Sequence, residues 1–489
     1  MVYLEKKKSM KKFNLITLVI ILLSLSGFAQ ETTNFYATMS LSDAKELKKD
    51  LPNEVQILAE RRNEAAVYLT PKAGHKLHDM VLVHGPGYIF KKSEAAAIAA
   101  IQNDTKVSPH GRMAFTISED VLVNQTLNLI NTQNIEDQIL ELENYRTRYH
   151  NRAAATQAAN DLKVKWEAMA TTYGRTDVSV RLFNHANTGM PSVIMTIEGV
   201  DFPDEFVVVG GHLDSTSSQG NNDAPGADDD ASGIATITEA ARALFEVGFL
   251  PNRTIEVMAY AAEEIGLVGS AEIAEEYANN NVNVVAAVQF DMTNYNGSAN
   301  DVSFITDYTD GSLNSFLMEL VDHYNSTGTH EITYGTSLCN YGCSDHASWT
   351  NEGYMAAFPF EANFGQHNPN IHTANDTYSG TADHATKFAK LCVEYLIETA
   401  KSSVLSVDET VANSILVTVY NNELVYNVEG ANSDFKSVAF IDMQGRKIYE
   451  TQIVSDKGAI SIESLNAGIY VVSFITEENS AVSKKIMIN

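Results

Sequence analysis

The sequence predicts an α/β protein with a mostly parallel central sheet flanked by helices, preceded by an α+β segment and followed by a β-sandwich. Three observations carry that expectation. Between about 119 and 403, apolar runs ("SVIMTIEG", "FVVVGG", "TIEVMAYAA", "VVAAVQFDM", "DVSFIT") alternate with helical patterns. Runs that are apolar on both faces, with helices between them, are the signature of a buried parallel sheet. Residues 30–118 instead hold short helical patterns such as "LSDAKELKKDL" and "SEAAAIAAIQN" and few long apolar runs. Beyond the linker "SSVLSVDETVANS" the chain alternates apolar and polar residues, as in "ILVTVYNNELVYNVEG". Turn signals there fall at Asn421-Asn422, Gln444-Gly445 and Asn479-Ser480.

In chain order, residues 1–29 read as a secretory leader. Lysines precede an apolar stretch of about 15 residues, too short for a membrane span, and small residues place the cut between Ala29 and Gln30. The remaining length suits about three domains of ~150 residues. Residues 30–118 carry no cluster of chemically active side chains and read as a propeptide. Residues 119–403 form the α/β domain, and residues 404–489, which lack His and Cys, form the β-sandwich. Within the α/β domain, "DASGIATITEAARALFEVG" places Ile234, Ile237, Ala241, Leu244 and Phe245 on one stripe of a helix.

A net charge of −28 argues against nucleic acid or an anionic membrane as partner and keeps an exported protein soluble. No second long apolar run predicts membrane insertion. Three cysteines are too few for a disulfide scaffold. Cys339 and Cys343 are close enough to bridge; as thiolate metal ligands they would lack a second pair. Cys392 lies on the apolar side of a helical pattern and reads as a buried free thiol.

Polar residues gather where the apolar runs stop. "GGHLDS" presents His212 and Asp214, "APGADDDASG" opens a helix with Asp228, Asp229 and Asp230, "AAEEIG" presents Glu263 and Glu264, and "QFDMTNY" presents Asp291. Ligands of open α/β sheets bind beyond the carboxyl ends of the strands, so these clusters converge on one crevice. Aspartates also cap helices, and two of the three in the run are read that way. "NPNIHTANDT" adds His372. Capping needs no gathering of two histidines and several acids, whereas zinc suits that ligand set. A shared carboxylate would make a two-metal hydrolytic site, with one of Glu263 and Glu264 as ligand and the other as general base.

Together with "CSDHASW", these motifs in this order resemble the secreted bacterial leucyl aminopeptidases, a family of two-zinc exopeptidases. The resemblance covers about 119–403. It implies two zinc ions per chain, with Asp229 bridging, His212 and Asp291 completing one position, and Glu264 and His372 the other. It implies Glu263 as general base, Asp214 as the residue holding the ring of His212, and Tyr341 as stabiliser of the tetrahedral intermediate's oxygen. It further implies a Cys339–Cys343 disulfide and a cis peptide between Asp229 and Asp230. Met292, Ile305, Phe358, Phe360, Phe364 and Ile371 would line an apolar pocket favouring Leu-like or aromatic first residues. His367 stands where the family pattern has tyrosine. Residues 411–489, through "LNAGIYVVSF" and "SKKIMIN", resemble the sorting domain of the type nine secretion system.

The resulting expectation is a secreted, monomeric zinc aminopeptidase. It acts on peptide or protein N-termini, is made as a zymogen with the N-terminal segment across its crevice, and meets the secretion machinery through its C-terminal domain. A metal carboxypeptidase or glutaminyl cyclase on the same fold, or a non-catalytic binding protein, are the alternatives.

Overall fold

The computed structural model describes residues 34–80, 84–102 and 113–401, with most of the strands between 405 and 488. The leader, most of the linker and the three C-terminal turn signals lie outside the described residues.

The central sheet has six strands, in the order Ala356–Ala357, Asn283–Gln289, Phe202–His212, Arg253–Tyr260, Ser192–Ile197 and Val178–Phe183. The first four run parallel to one another, and the last two join antiparallel. Every residue of Arg253–Tyr260 is buried, as a strand covered on both faces must be. The run "DVSFIT" departs from expectation. The edge beside Asn283–Gln289 is taken by Ala356–Ala357, so Val302–Ile305 pairs instead with Tyr334–Ser337 and Pro359–Phe360 in a second, three-stranded sheet.

The helix Ala231–Glu246 also departs from its single predicted stripe: it is buried on nearly every face, including Thr236, Thr238 and Glu239. It packs against the central strand Phe202–His212 and is covered by the helices Thr132–Glu143 and Asp383–Lys401. Its polar residues are therefore partnered. Glu239 accepts from the Asn131 N–H and Asn134 Nδ2 and pairs with Arg242, and Thr238 accepts from Trp166 Nε1 at 3.0 Å.

The N-terminal unit is α+β, as expected. Its antiparallel sheet runs Val55–Arg61, Glu64–Leu69, Phe35–Ser40, Tyr88–Lys91, with helices Leu41–Asp50, Pro71–Met80 and Glu94–Gln102. Its edge strand leans on the central domain: the Phe90 N–H donates to the Gly266 carbonyl, and Ile89 packs with Leu267 and Ala347. In the C-terminal unit a three-stranded and a four-stranded antiparallel sheet share one core, including Leu424, Val438, Phe440, Val472 and Phe474, which is a sandwich. Among the described residues no helix is long and apolar enough to cross a membrane.

Trp166, fully buried between the helix Ala153–Thr172 and Ala231–Glu246, anchors the element that begins the ligand cluster. Trp166→Ala is expected to cost about 3–5 kcal/mol, read as a lowered midpoint in denaturant unfolding.

Candidate metal centre and its cleft

The acids and histidines singled out by their strand-end positions do meet. His212 ends Phe202–His212, Asp291 follows Asn283–Gln289, Glu263 and Glu264 follow Arg253–Tyr260, and Asp229 precedes Ala231–Glu246. The helix comes this close because residue 233 is glycine: a Cβ there would stand 2.1 Å from the Phe290 carbonyl oxygen and 2.3 Å from Asp230 Oδ1. Ala262, Met292 and His372, which adjoin or belong to the cluster of acids and histidines, have φ between 54° and 57°. Non-glycine residues in that region cost of order 1–3 kcal/mol each and persist where surrounding contacts over-determine them.

Asp229 lies at the middle and faces two ways. Its Oδ1 is 2.9 Å from His212 Nε2, and its Oδ2 is 3.1 Å from His372 Nε2. His212 Nε2 is also 3.4 Å from Asp291 Oδ1, and His372 Nε2 is 3.2 Å from Glu264 Oε2. Two groups result, His212–Asp229–Asp291 and Asp229–Glu264–His372, each with donor atoms within 4.8 Å of one another. The first includes a residue the sequence reading left out: His84, whose Nε2 is 3.0 Å from Asp291 Oδ2 and 3.7 Å from Asp229 Oδ1.

The donor set fits zinc on the structure's own terms. His84 Nε2, Asp229 Oδ2, Asp291 Oδ1 and both Glu264 oxygens are buried without a hydrogen-bond partner. Buried polar atoms are otherwise almost always satisfied. Carboxylates outnumber cations around them. Burial alone would lower the pKa of His372, yet Glu264 and Asp229 bring it up to about 10, and Asp291, Asp214 and Asp229 likewise raise His212 against its burial. The cluster therefore demands positive charge, and neutral imidazoles with carboxylates at this spacing would take it from a divalent cation.

The surrounding residues hold these groups in place. Asp214 does more than face the ring of His212, 3.6 Å from Nδ1. Its two oxygens accept the backbone N–H groups of Glu263 and Glu264, at 3.0 and 3.3 Å, and its carbonyl accepts from His212 Nδ1. A carbonyl only accepts, so Nδ1 carries a proton and Nε2 is the nitrogen turned to the cluster, free to bind once a metal ion replaces any proton there. Asp230 is the helix N-cap, accepting from the Gly233 N–H, and also accepts from the His212 N–H. Asp228 is not a cap; it accepts from the Asn294 N–H and Asn368 Nδ2. The peptide between Asp229 and Asp230 is cis.

Two further positioning residues escaped the sequence reading. Asp376 accepts from the N–H groups of Asp228 and Asp229. Arg148, fully buried, donates to the carbonyls of Leu142, Leu213, Pro225 and Gly226, tying both ligand-bearing loops together. Asp376 stands four residues after His372, which was a usable signal; Arg148 has no local one.

Glu263 ligates nothing in either group, and both its carboxylate oxygens are buried without a partner. Burial pushes its pKa well above the ordinary range, His212 and His84 pulling it down and Glu264 and Asp345 pushing it up. Beside it the apolar residues expected of the pocket form one cluster. Met292, Ile305, Phe358, Phe360 and Ile371 pack with Cys339, Tyr341 and Cys343, and Phe364 closes the side. The ring of His367 is 5.6 Å from that of Phe360 and 5.7 Å from that of Phe364, so it belongs to the same wall. Cys339 and Cys343 form the disulfide, and Cys392 is a buried free thiol.

Comparison with known proteins accords with this geometry. Residues 192–396 match peptidase family M28, and residues 415–489 match the secretion system C-terminal sorting domain. Leucine aminopeptidase 1 of Ajellomyces capsulatus is 33% identical over 342 residues, which cover 67% of this chain and 83% of that protein. The probable leucine aminopeptidase of Arthroderma benhamiae is 32% identical, over 74% of this chain and 98% of that protein. Among solved structures, the LapA aminopeptidase of Legionella pneumophila superposes with a TM-score of 0.67 at 33% identity, over 76% of this chain and 99% of its own. The ligand cluster at the sheet edge and these full-length likenesses lead to one conclusion: the chain belongs to peptidase family M28 and ends in a secretion system C-terminal sorting domain.

Proposed function

We propose that this chain is a secreted aminopeptidase that hydrolyses the first peptide bond of peptides and proteins with two zinc ions, favouring Leu-like or aromatic first residues. One observation carries the reading: two donor groups share Asp229, one carboxylate oxygen facing each. His212 and Asp291 would hold one ion, Glu264 and His372 the other. Bound there, the ions would polarise the scissile carbonyl and acidify a water.

The protein's own residues supply the rest. Glu263, unpartnered and beside both groups, takes the proton of the attacking water and returns it to the leaving amine. Asp214, holding the two glutamate N–H groups and the tautomer of His212, keeps base and ligands in register. The Tyr341 hydroxyl, now donating to the His84 carbonyl, would donate to the oxygen that gains charge once that carbonyl is displaced. The pocket of Met292, Ile305, Phe358, Phe360, Phe364 and Ile371 takes the first side chain and excludes water from it.

Three measurements test this. Metal analysis should give about two zinc ions per chain, with hydrolysis of leucine anilides lost to a chelator and restored by zinc; one tightly held ion with full activity would sink the two-metal reading. Glu263→Gln should lower kcat by at least ~10²-fold with zinc content unchanged, and joint loss of zinc would mean that Glu263 and Glu264 exchange roles. Asp214→Asn should lower zinc affinity or activity about 10–100-fold, measured by competition with a chromogenic chelator; unchanged affinity and rate would remove Asp214 from the machinery.

A further inference from the structure

The N-terminal unit contributes more to the cleft than a cover. The stretch "HGPG", residues 84–87, is buried throughout, although it is a loop of a different unit from the ligands. His84 Nδ1 donates to the Cys343 carbonyl at 2.7 Å, which turns Nε2 toward Asp291 at 3.0 Å and Asp229 at 3.7 Å. This repeats the arrangement of His212, where a carbonyl also fixes the Nδ1 proton and Nε2 faces the same two carboxylates. At 3.0 Å from a carboxylate oxygen, Nε2 needs a positive charge between the two, supplied by a proton when the site is empty and by a metal ion when it is filled.

We infer that His84, carried by the N-terminal unit of the same chain, is a further metal ligand in the α/β domain's cluster and holds the full chain in a latent form of the enzyme. This rests on the proposed two-metal function. The same short stretch covers each feature a substrate would use. The Tyr341 hydroxyl donates to the His84 carbonyl and so is spent. The His84 ring stands against the pocket aromatics, 5.9 Å from Phe360 and 6.3 Å from Phe358. Gly85 passes between the Cys343 carbonyl and the Glu263 carboxylate, at φ +71°. A Cβ there would stand 2.7 Å from that carbonyl oxygen and 3.3 Å from Glu263 Oε1. The stretch thus stands against the ligand cluster, the base, the hydroxyl and the pocket at once. Departure of the segment would free all four together.

The test compares the zinc-loaded full chain with His84→Asn, whose side-chain amide can still donate to the Cys343 carbonyl but presents no imidazole. X-ray absorption at the zinc edge should show the mean number of histidine ligands per zinc falling by about a third, because three histidines serve two ions before the change and two after. Hydrolysis of a leucine anilide should rise at least ~10-fold, since the blocked state loses its hold. Gly85→Ala, which keeps the imidazole but not the room for its backbone, should raise the rate similarly. An unchanged histidine count overturns the inference, as does a full chain already as fast as the chain freed of the segment by limited proteolysis. A count that falls while no form shows turnover would instead uphold His84 as ligand and refute the aminopeptidase reading.

Discussion

Mutual repulsion among buried carboxylates is the constraint on which this molecule turns. Asp214, Asp229, Asp230, Glu263, Glu264 and Asp291 are all buried within one small volume at the sheet edge. Ionised carboxylates placed together in a poorly polarisable interior would take up protons or force the site apart. The structure meets the problem by dividing the acids. Asp214 and Asp230 are spent on backbone N–H groups and a helix N-terminus, where fixed dipoles neutralise them. Asp229, Asp291 and Glu264 retain oxygens without a hydrogen-bond partner among the described residues, where a cation would relieve the repulsion. Glu263 retains both oxygens but touches no other donor group, which is what a proton acceptor requires.

That division explains features of the fold that would otherwise be liabilities. A parallel sheet delivers the ends of Phe202–His212, Arg253–Tyr260 and Asn283–Gln289 to one edge, so that three chain segments far apart in sequence offer ligands side by side. The helix Ala231–Glu246 is buried on nearly every face because its N-terminus must reach the middle of that edge, not its rim. Its polar residues then need partners of their own, which Trp166, Asn131 and Asn134 provide. Arg148, with no counter-carboxylate in contact, spends its donors on four carbonyls and so fastens the loop that carries Asp229.

The N-terminal unit belongs to the same electrostatic account. A site arranged to hold a cation also draws any donor that the cation can bind, and His84, followed by Gly85, reaches it. Packing of Tyr88–Lys91 on Gly266, Leu267 and Ala347 brings that turn to the cleft and holds it there.

The sequence by itself determined the α/β class, the sandwich, and a converging set of His212, Asp214, the aspartates 228–230, Glu263, Glu264, Asp291 and His372, while the choice among adjacent acids came through family resemblance. It could do so because strand ends are local events: an apolar run stops, and the next polar residue must lie at the sheet edge. Spacing allowed the disulfide but left it one of two readings until the family resemblance, and the pocket residues were legible only through that resemblance. Tertiary structure alone decided the rest. The short run Val302–Ile305 left the central sheet because another strand filled the edge, which no periodicity records. Arg148 and Asp376 became part of the site through contacts across the fold. His84 was read as part of a segment without chemistry, because its role depends on meeting Cys343, 259 residues further along the chain. A local pattern encodes how a residue's own element folds; which distant atom it will face is settled only when the elements pack.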